Sequence, residues 1–531
     1  MTLWLLQLCK SMWIIQKPYP QKNPFYRSGK YCEFMLSTHL DKWKIITGYV
    51  EKYLCGKQWK VRPVYVILAR ETFIAEIFAG FPEKKKKEDT AMWAYESVFY
   101  QIYPLGFCGA PFENDGTQQA PETAGIRKVI DWIGHIRKLG ANAIYFSPLF
   151  ESDTHGYNTR DFRKVDRRLG TNEDFKEVCS RLHEEGIRVV LDGVFNHVGR
   201  GFWAFQDVLK NRENSPYLNW FHINLGGNSN YNDGLWYEGW EGNYDLVKLN
   251  LRNEEVINHI FESIRLWVEE FDIDGLRLDV AYCLDHDFVR RLRSFCDGLK
   301  EDFFLVGEML HGDYKVLVND GMLHSSTNYE CYKGLYSSFN SMNLFEIVHS
   351  LLRQFGPENW TLYKGLHLLS FVDNHDVTRI ASILSNEKHL PLIYALMFGM
   401  PGIPCVYYGS EWGAKGNKSE GDQALRACFE APVENELSEF ISRLAEAKKN
   451  SHALNYGAFR SVVLTNKQCI FERAADGERV LVAINADSEP YTAHFDAGCG
   501  MAVDLISGEN HDFGGGSQLA PYSAYFWKCE A

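Results

Sequence analysis

The sequence predicts a (β/α)8 barrel with an inserted domain after its third strand. A small N-terminal β-rich module precedes the barrel and a C-terminal antiparallel β-sandwich follows it. Three observations predict this. From about residue 97 to 450, short apolar runs alternate with amphipathic stretches of helical length, the rhythm of a parallel sheet covered by helices. One connection, from Leu191 to a helix near Glu254, is about 60 residues long, beyond the usual length of a plain loop. After about Tyr456 helical periodicity stops and β-like runs take over.

The domains follow in order. Residues 1–95 form an N-terminal extension and small module, with β-like runs at 61–68 and 72–78 and a solvated charge run, EKKKKED, at 83–89. Residues 96–452 form the barrel. Residues 98–102 read as its first strand. The apolar spacing of 126–139 is near 3.6, so this stretch is a helix, stopped by Gly140. Strands are expected at 143–146 and 187–191 with a helix at 175–185 between them. Later strands are expected at 275–280, 303–306, 368–371 and 403–407. The insertion, at about 198–250, is rich in Gly, Asn, Trp and Tyr. Residues 453–531 form the sandwich, with strands at 479–484 and 522–527. The Gly cluster at 511–517 has no following helix or Lys and reads as a turn, not a phosphate cradle.

Composition narrows the function. Among 531 residues, 45% are apolar and 24% charged, a globular balance. A net charge of −13 argues against nucleic-acid binding, which needs clustered Lys and Arg. No apolar stretch approaches the roughly 20 residues of a membrane span. The 13 Cys are odd in number and lack paired metal-ligand spacing, which fits reduced thiols in a cytoplasm. Residues 1–16 are apolar but have no basic start and no cleavage-site pattern. They read as a packed extension or a start placed too far upstream, not a signal peptide.

Several predicted strands run into ionisable residues: Asp192, Asp279, Glu308 and Asp376. Each acid alone also reads as a cap or turn residue. Barrel closure, however, gathers all strand ends into one bowl. Cleavage of a glycosidic bond needs such a bowl, with one protonated carboxyl for the leaving oxygen and one ionised carboxyl to attack the anomeric carbon. Like charges placed close together raise one pKa and keep that acid protonated. Arg277 lies two residues before Asp279, so on a strand both side chains share a face. The guanidinium is expected to hold Asp279 ionised and oriented. A metal reading of His197 and His375 is weaker, since no HExxH is present and the two lie on separate motifs.

At these positions the sequence resembles the α-amylase superfamily of glycoside hydrolases. Four signature segments occur in order: Asp192-Gly-Val-Phe-Asn196-His197, Gly275-Leu-Arg-Leu-Asp279, Val306-Gly-Glu308 and Phe371-Val-Asp-Asn-His-Asp376. The resemblance implies that Asp279 is the nucleophile, Glu308 the general acid/base and Asp376 a third acid that binds sugar hydroxyls. It implies that Arg277 orients the nucleophile, that His197 and His375 contact the sugar, and that the Tyr157 ring stacks under it. Asp422 and Arg426 resemble an Asp/Arg pair that binds glucose near the non-reducing end; a surface ion pair is the alternative. Asp192 and Asn196 match positions that are structural or calcium-linked.

Lys248, in Leu246-Val-Lys-Leu-Asn250, resembles the neopullulanase, cyclomaltodextrinase and maltogenic amylase group. That likeness implies an α-glucan oligosaccharide substrate with α-1,4 or α-1,6 linkages. Two departures leave the exact substrate and the choice between monomer and homodimer open: Val280-Ala-Tyr-Cys283 after Asp279, and an N-terminal part that is short for the group. No cofactor is expected to be required. Calcium is admitted at Asn114-Asp-Gly-Thr117, although a plain turn is the favoured reading. A transglycosylase on the same machinery is the alternative function. A non-catalytic amylase-like partner protein would have lost the acids retained here.

Overall fold

A computed structural model describes residues 43–47, 66–70, 92–117 and 125–529. The chain divides into two compact units, Met1–Thr90 and Ala91–Ala531. In the first, strands Trp43–Thr47 and Val66–Arg70 pair antiparallel. The runs expected at 61–65 and 72–78 and the charge run at 83–89 lie outside the described residues.

The second unit holds an eight-stranded parallel barrel. Its strands are β1 Phe99–Ile102, β2 Ala143–Phe146, β3 Arg188–Gly193, β4 Gly275–Leu278, β5 Phe304–Gly307, β6 Ser325–Ser326, β7 Leu369–Phe371 and β8 Ile403–Tyr407. Neighbours pair in the order β6-β5-β4-β3-β2-β1-β8-β7, and a parallel bridge between Thr327 and Leu369 closes the ring. Seven strands fall where apolar runs predict them. The sixth is two serines long and has no apolar run to announce it. Strand β4 stops two residues short of its expected end because Val280 takes a left-handed φ of 40° and turns the chain out of the sheet.

Phe99, Tyr145, Val190, Phe304, Val306 and Phe371 pack inside the barrel. Trp93 plugs its N-terminal end, stacked on Phe99 at 5.9 Å and edge-on to Phe304 at 5.7 Å. Around the outside, helices bury one face each. The predicted first helix is α1, Lys128–Lys138, which buries Val129, Trp132, Ile133 and Ile136. Helix α2, Asn172–Glu184, starts at a capping box in which Thr171 and Asp174 satisfy each other's backbone N–H. Helix α3, Glu254–Phe271, is capped by Asn253. Helices α4, Tyr329–Asn340, and α5, Phe345–Phe355, follow β6.

Between β3 and α3, strands His197–Gly199, Gly239–Trp240 and Asn243–Lys248 form a small sheet in which Lys248 pairs with His197. The insertion therefore returns to the barrel beside the residue that leaves β3. After the barrel come a six-stranded sheet and a two-stranded one. Ile470, Leu481, Ala493, Leu519 and Trp527 are buried in one apolar cluster of this region. Among the described residues no helix is long and apolar enough to cross a membrane.

Candidate active site

The strand register builds the centre of the site. Arg277 on β4 lies opposite Asp192 on β3 and Val306 on β5, so its side chain rises into the C-terminal bowl between the two neighbouring strands. It is 3% exposed. Arg277 Nη1 donates to both oxygens of Asp192 and to Asp279 Oδ1, each at 2.9 Å. Arg277 Nη2 meets Glu308 Oε1 at 2.8 Å. The guanidinium expected to serve Asp279 alone therefore serves three carboxylates. Asp192, read from sequence as structural or calcium-linked, is what holds the guanidinium from behind, and it also accepts from Tyr145 at 2.8 Å and Tyr157 at 3.2 Å.

This sharing decides the electrostatics. Burial pushes Asp279 up, Arg277 pulls it down, and the Glu308 and Asp192 carboxylates push it up again, so its pKa stands above the ordinary range. Arg277 opposes that rise, and it is divided among Asp192, Asp279 and Glu308 instead of serving Asp279 alone. Glu308 is raised too, chiefly by burial, with Arg277 opposing. Two close carboxyls of this kind titrate as a pair. Glu308 Oε2 accepts the Val280 N–H at 3.0 Å. The strained turn at Val280 thus delivers a backbone donor to the second acid. Asp279 Oδ2 is buried and makes no hydrogen bond; His197 Nε2, 3.8 Å away, makes none either. Burial, aided by nearby His155, pushes His197 down to about 3, so its ring is neutral at physiological pH.

The third acid sits in a different setting. Asp376 Oδ1 takes Arg426 Nη2 and Asp376 Oδ2 takes His375 Nε2, both at 2.9 Å. Burial opposes ionisation, but the His375 ring and the Arg426 guanidinium hold this carboxyl well below the usual range. The His375 tautomer follows from its neighbours. Gln101 Nε2 meets His375 Nδ1 at 2.8 Å, and an amide nitrogen only donates, so Nδ1 accepts and Nε2 carries the proton toward Asp376. The ring is sandwiched between Tyr103 at 5.8 Å and Tyr157 at 5.6 Å, both nearly parallel to it. Tyr157 OH also contacts His375 Nε2.

All three predicted acids and Tyr157, His197, Arg277 and His375 thus meet at one rim. Asp422 does not join them: it is exposed, pairs with Lys418 at 2.5 Å and reaches Arg426 only at 3.5 Å. Arg426 turns inward to Asp376, donates through Nε to the His375 carbonyl at 3.1 Å and lies over the Tyr103 ring. The expected Asp/Arg pair is therefore dominated by a different acid, because the buried guanidinium finds a shorter and better desolvated partner there.

Sequence reasoning missed Gln101, Tyr103, Tyr145 and Tyr329. A Gln inside a wholly buried strand was a readable signal for the first. Tyr329, whose OH lies 3.5 Å from Glu308 Oε1, follows the strand that has no apolar run. Lys248 Nζ pairs with Glu238 at 2.5 Å, holding the inserted sheet beside His197. Asn114 forms a turn: its Oδ1 accepts the Gly116 N–H, while its amide donates to Glu151 and Ser152.

Comparison with known proteins agrees with this geometry. Residues 101–456 match the alpha amylase catalytic domain. A cyclomaltodextrinase of Bacillus sp. is 29% identical over 426 residues, 75% of this chain and 74% of the relative. Neopullulanase 2 of Thermoactinomyces vulgaris is 31% identical over 448 residues, 79% of this chain and 75% of the relative. Among solved structures, the cyclic alpha-maltosyl-(1→6)-maltose hydrolase of Arthrobacter globiformis superposes with a TM-score of 0.69 at 28% identity, covering 83% of this chain and all of that one. With its barrel, its strand-end acids and a catalytic-domain match over most of the barrel, the chain belongs to the alpha-amylase family of glycoside hydrolases.

Proposed function

We propose that this enzyme hydrolyses α-1,4 or α-1,6 glucosidic bonds of maltodextrins, cyclodextrins or related oligosaccharides with retention of anomeric configuration. The observation that carries the reading is the single Arg277 fork joining Asp279 and Glu308, with Asp376 ionised beside them. A retaining pair works at a carboxyl separation of about 5–5.5 Å, which a shared guanidinium favours. In the first step Asp279 Oδ2 attacks the anomeric carbon while Glu308 gives its proton to the departing oxygen. A glycosyl–Asp279 ester forms. Glu308, now a carboxylate, takes a proton from water, which attacks the same carbon and frees Asp279. Asp376 receives sugar hydroxyls as an ionised acceptor, and the neutral His197 and the His375–Tyr157 stack contact the same sugar. The names of the relatives support the substrate class.

The test is a time-resolved product panel on maltose, maltotriose, β-cyclodextrin, pullulan and starch, with the anomer of the first product read by NMR. Initial α-products are expected; initial β-products would sink the retaining mechanism. Longer oligosaccharides from maltotriose at early times would replace hydrolysis by transfer. No metal is assigned a role, so a chelator is expected to leave both activity and Tm unchanged.

The raised Glu308 carboxyl also predicts the pH profile. Activity should fall on the alkaline side as Glu308 loses its proton, later than an ordinary carboxyl would. In Glu308→Gln, assayed with a glycosyl fluoride whose departure needs no proton, that alkaline limb should vanish. A limb that persists unchanged would assign the titration to another group.

A further inference from the structure

The last strand of the C-terminal sandwich brings two thiols together. Strand Ser523–Cys529 runs between strands Glu478–Asn485 and Met501–Asp504. Cys529 lies opposite Ala502 on one side. On the other side Val480 pairs with Lys528, so Arg479 falls beside Cys529. Cys499 and Cys529 both pack against the apolar cluster that holds Leu481, Ala502 and Trp527. Each is half-buried and open to reagents, whereas Cys405 and Cys469 are buried.

Arg479 ties its strand to the turn that carries Cys499. Its Nη2 donates to the Ala497 carbonyl at 2.7 Å and its Nη1 to the Gly498 carbonyl at 3.4 Å. Glu472 steadies the guanidinium, accepting from it at 2.6 and 2.9 Å. Glycines flank the cysteine: Gly498 takes a left-handed φ of 64°, and the space beside Gly500 is open. The turn can therefore bring Cys499 onto the last strand, and the Cys499 and Cys529 thiols hydrogen-bond each other. Burial pushes Cys529 up to about 12; the hydrogen bond to Cys499 and its charge push the same way, and Arg479 opposes them. Cys529 thus keeps its proton and donates it, which leaves Cys499 as the attacking sulfur.

We propose that Cys499 and Cys529 form a reversible dithiol–disulfide site whose substrate is a small-molecule disulfide, and that the bond formed clamps the last strand to the turn before Met501. The Cys499 thiolate attacks one sulfur of the small disulfide, the S–S bond breaks, and one thiol leaves with a proton from water. Cys529 then gives its proton to water and attacks the Cys499 sulfur of the mixed disulfide, and the second thiol leaves. By then Cys499 carries no charge, so Arg479 faces Cys529 alone and favours this step. Two electrons pass from the protein sulfurs to the small disulfide, which ends as two thiols. The bridge closes a loop of about 30 residues, restrains the unfolded chain and uses none of the groups at the barrel rim.

The test applies glutathione disulfide to the folded, full-length protein. Peptide mapping by mass spectrometry should find Cys499 linked to Cys529, the link should be reversed by dithiothreitol, and Tm should rise by about 3 °C. Cys529→Ser should stop at a glutathione adduct on Cys499, while Cys499→Ser should leave Cys529 unmodified over the same time. Neither variant should gain Tm on oxidation, and both should keep wild-type activity. The proposal is overturned if both cysteines of the wild type still alkylate after prolonged exposure, if Cys499 keeps its glutathione without cross-linking, or if the cross-link leaves Tm unchanged. A lasting adduct on Cys529 in Cys499→Ser overturns the order of attack.

Discussion

Asp279→Asn is expected to lower kcat by roughly 10,000-fold or more, the scale on which losing a member of a nucleophilic unit is felt. The amide keeps the shape and can still accept from Arg277, but it cannot form the glycosyl ester. Tm is expected to stay at or above that of the wild type. Asp279 is 4% exposed and its pKa is raised by burial and by two neighbouring carboxylates, so the ionised residue costs stability at neutral pH. A neutral isostere removes that cost, the usual trade between stability and activity at an active site. Turnover and thermal unfolding on the same purified variant decide the matter. A variant with near-full activity refutes the nucleophile assignment, and one that is inactive because it is unfolded refutes the stability argument.

Arg277→Met should do the opposite to the fold. It leaves Asp192, Asp279 and Glu308 buried without their common cation, and removing one partner from a buried ionic group costs about 3–5 kcal/mol. Activity should fall with it, because Asp279 and Glu308 lose the fork that spaces them. The pH dependence carries the signature. Carboxyls whose folded pKa lies above the unfolded value favour folding most when protonated, and that advantage is lost as pH rises through the folded pKa. Removing Arg277 raises those folded values further. The Tm deficit of Arg277→Met should therefore be small near pH 4 and grow toward pH 7. Arg277→Lys should fall between the two, since a point charge cannot donate to three carboxylates in a fixed fork. A deficit that is independent of pH would show that lost packing, and not charge, is responsible.

Much of the barrel was legible in sequence because its strands are buried on both faces and so appear as apolar runs bounded by turns, as at Ala143–Phe146 and Ile403–Tyr407. Strand β6 was not legible. Two serines can complete a parallel ladder because the backbone supplies the hydrogen bonds, and only neighbouring strands reveal that they do. The candidate site divides in the same way. Its acids were readable because each follows a strand. Gln101, Tyr145 and Tyr329 were hidden because a lone polar or aromatic residue has many ordinary explanations until its partner is known.

The sequence by itself determined the architecture, the family and the gathering of Asp279, Glu308 and Asp376 with Arg277 at one rim, since strand periodicity and barrel closure dictate where strand-end residues go. Only the tertiary structure decided how charge is distributed there. It divided Arg277 among three carboxylates and gave Arg426 a shorter contact to Asp376 than to Asp422. The physical reason is that a buried charge is settled by distance and desolvation between segments far apart in the chain, and no local pattern of residues encodes either.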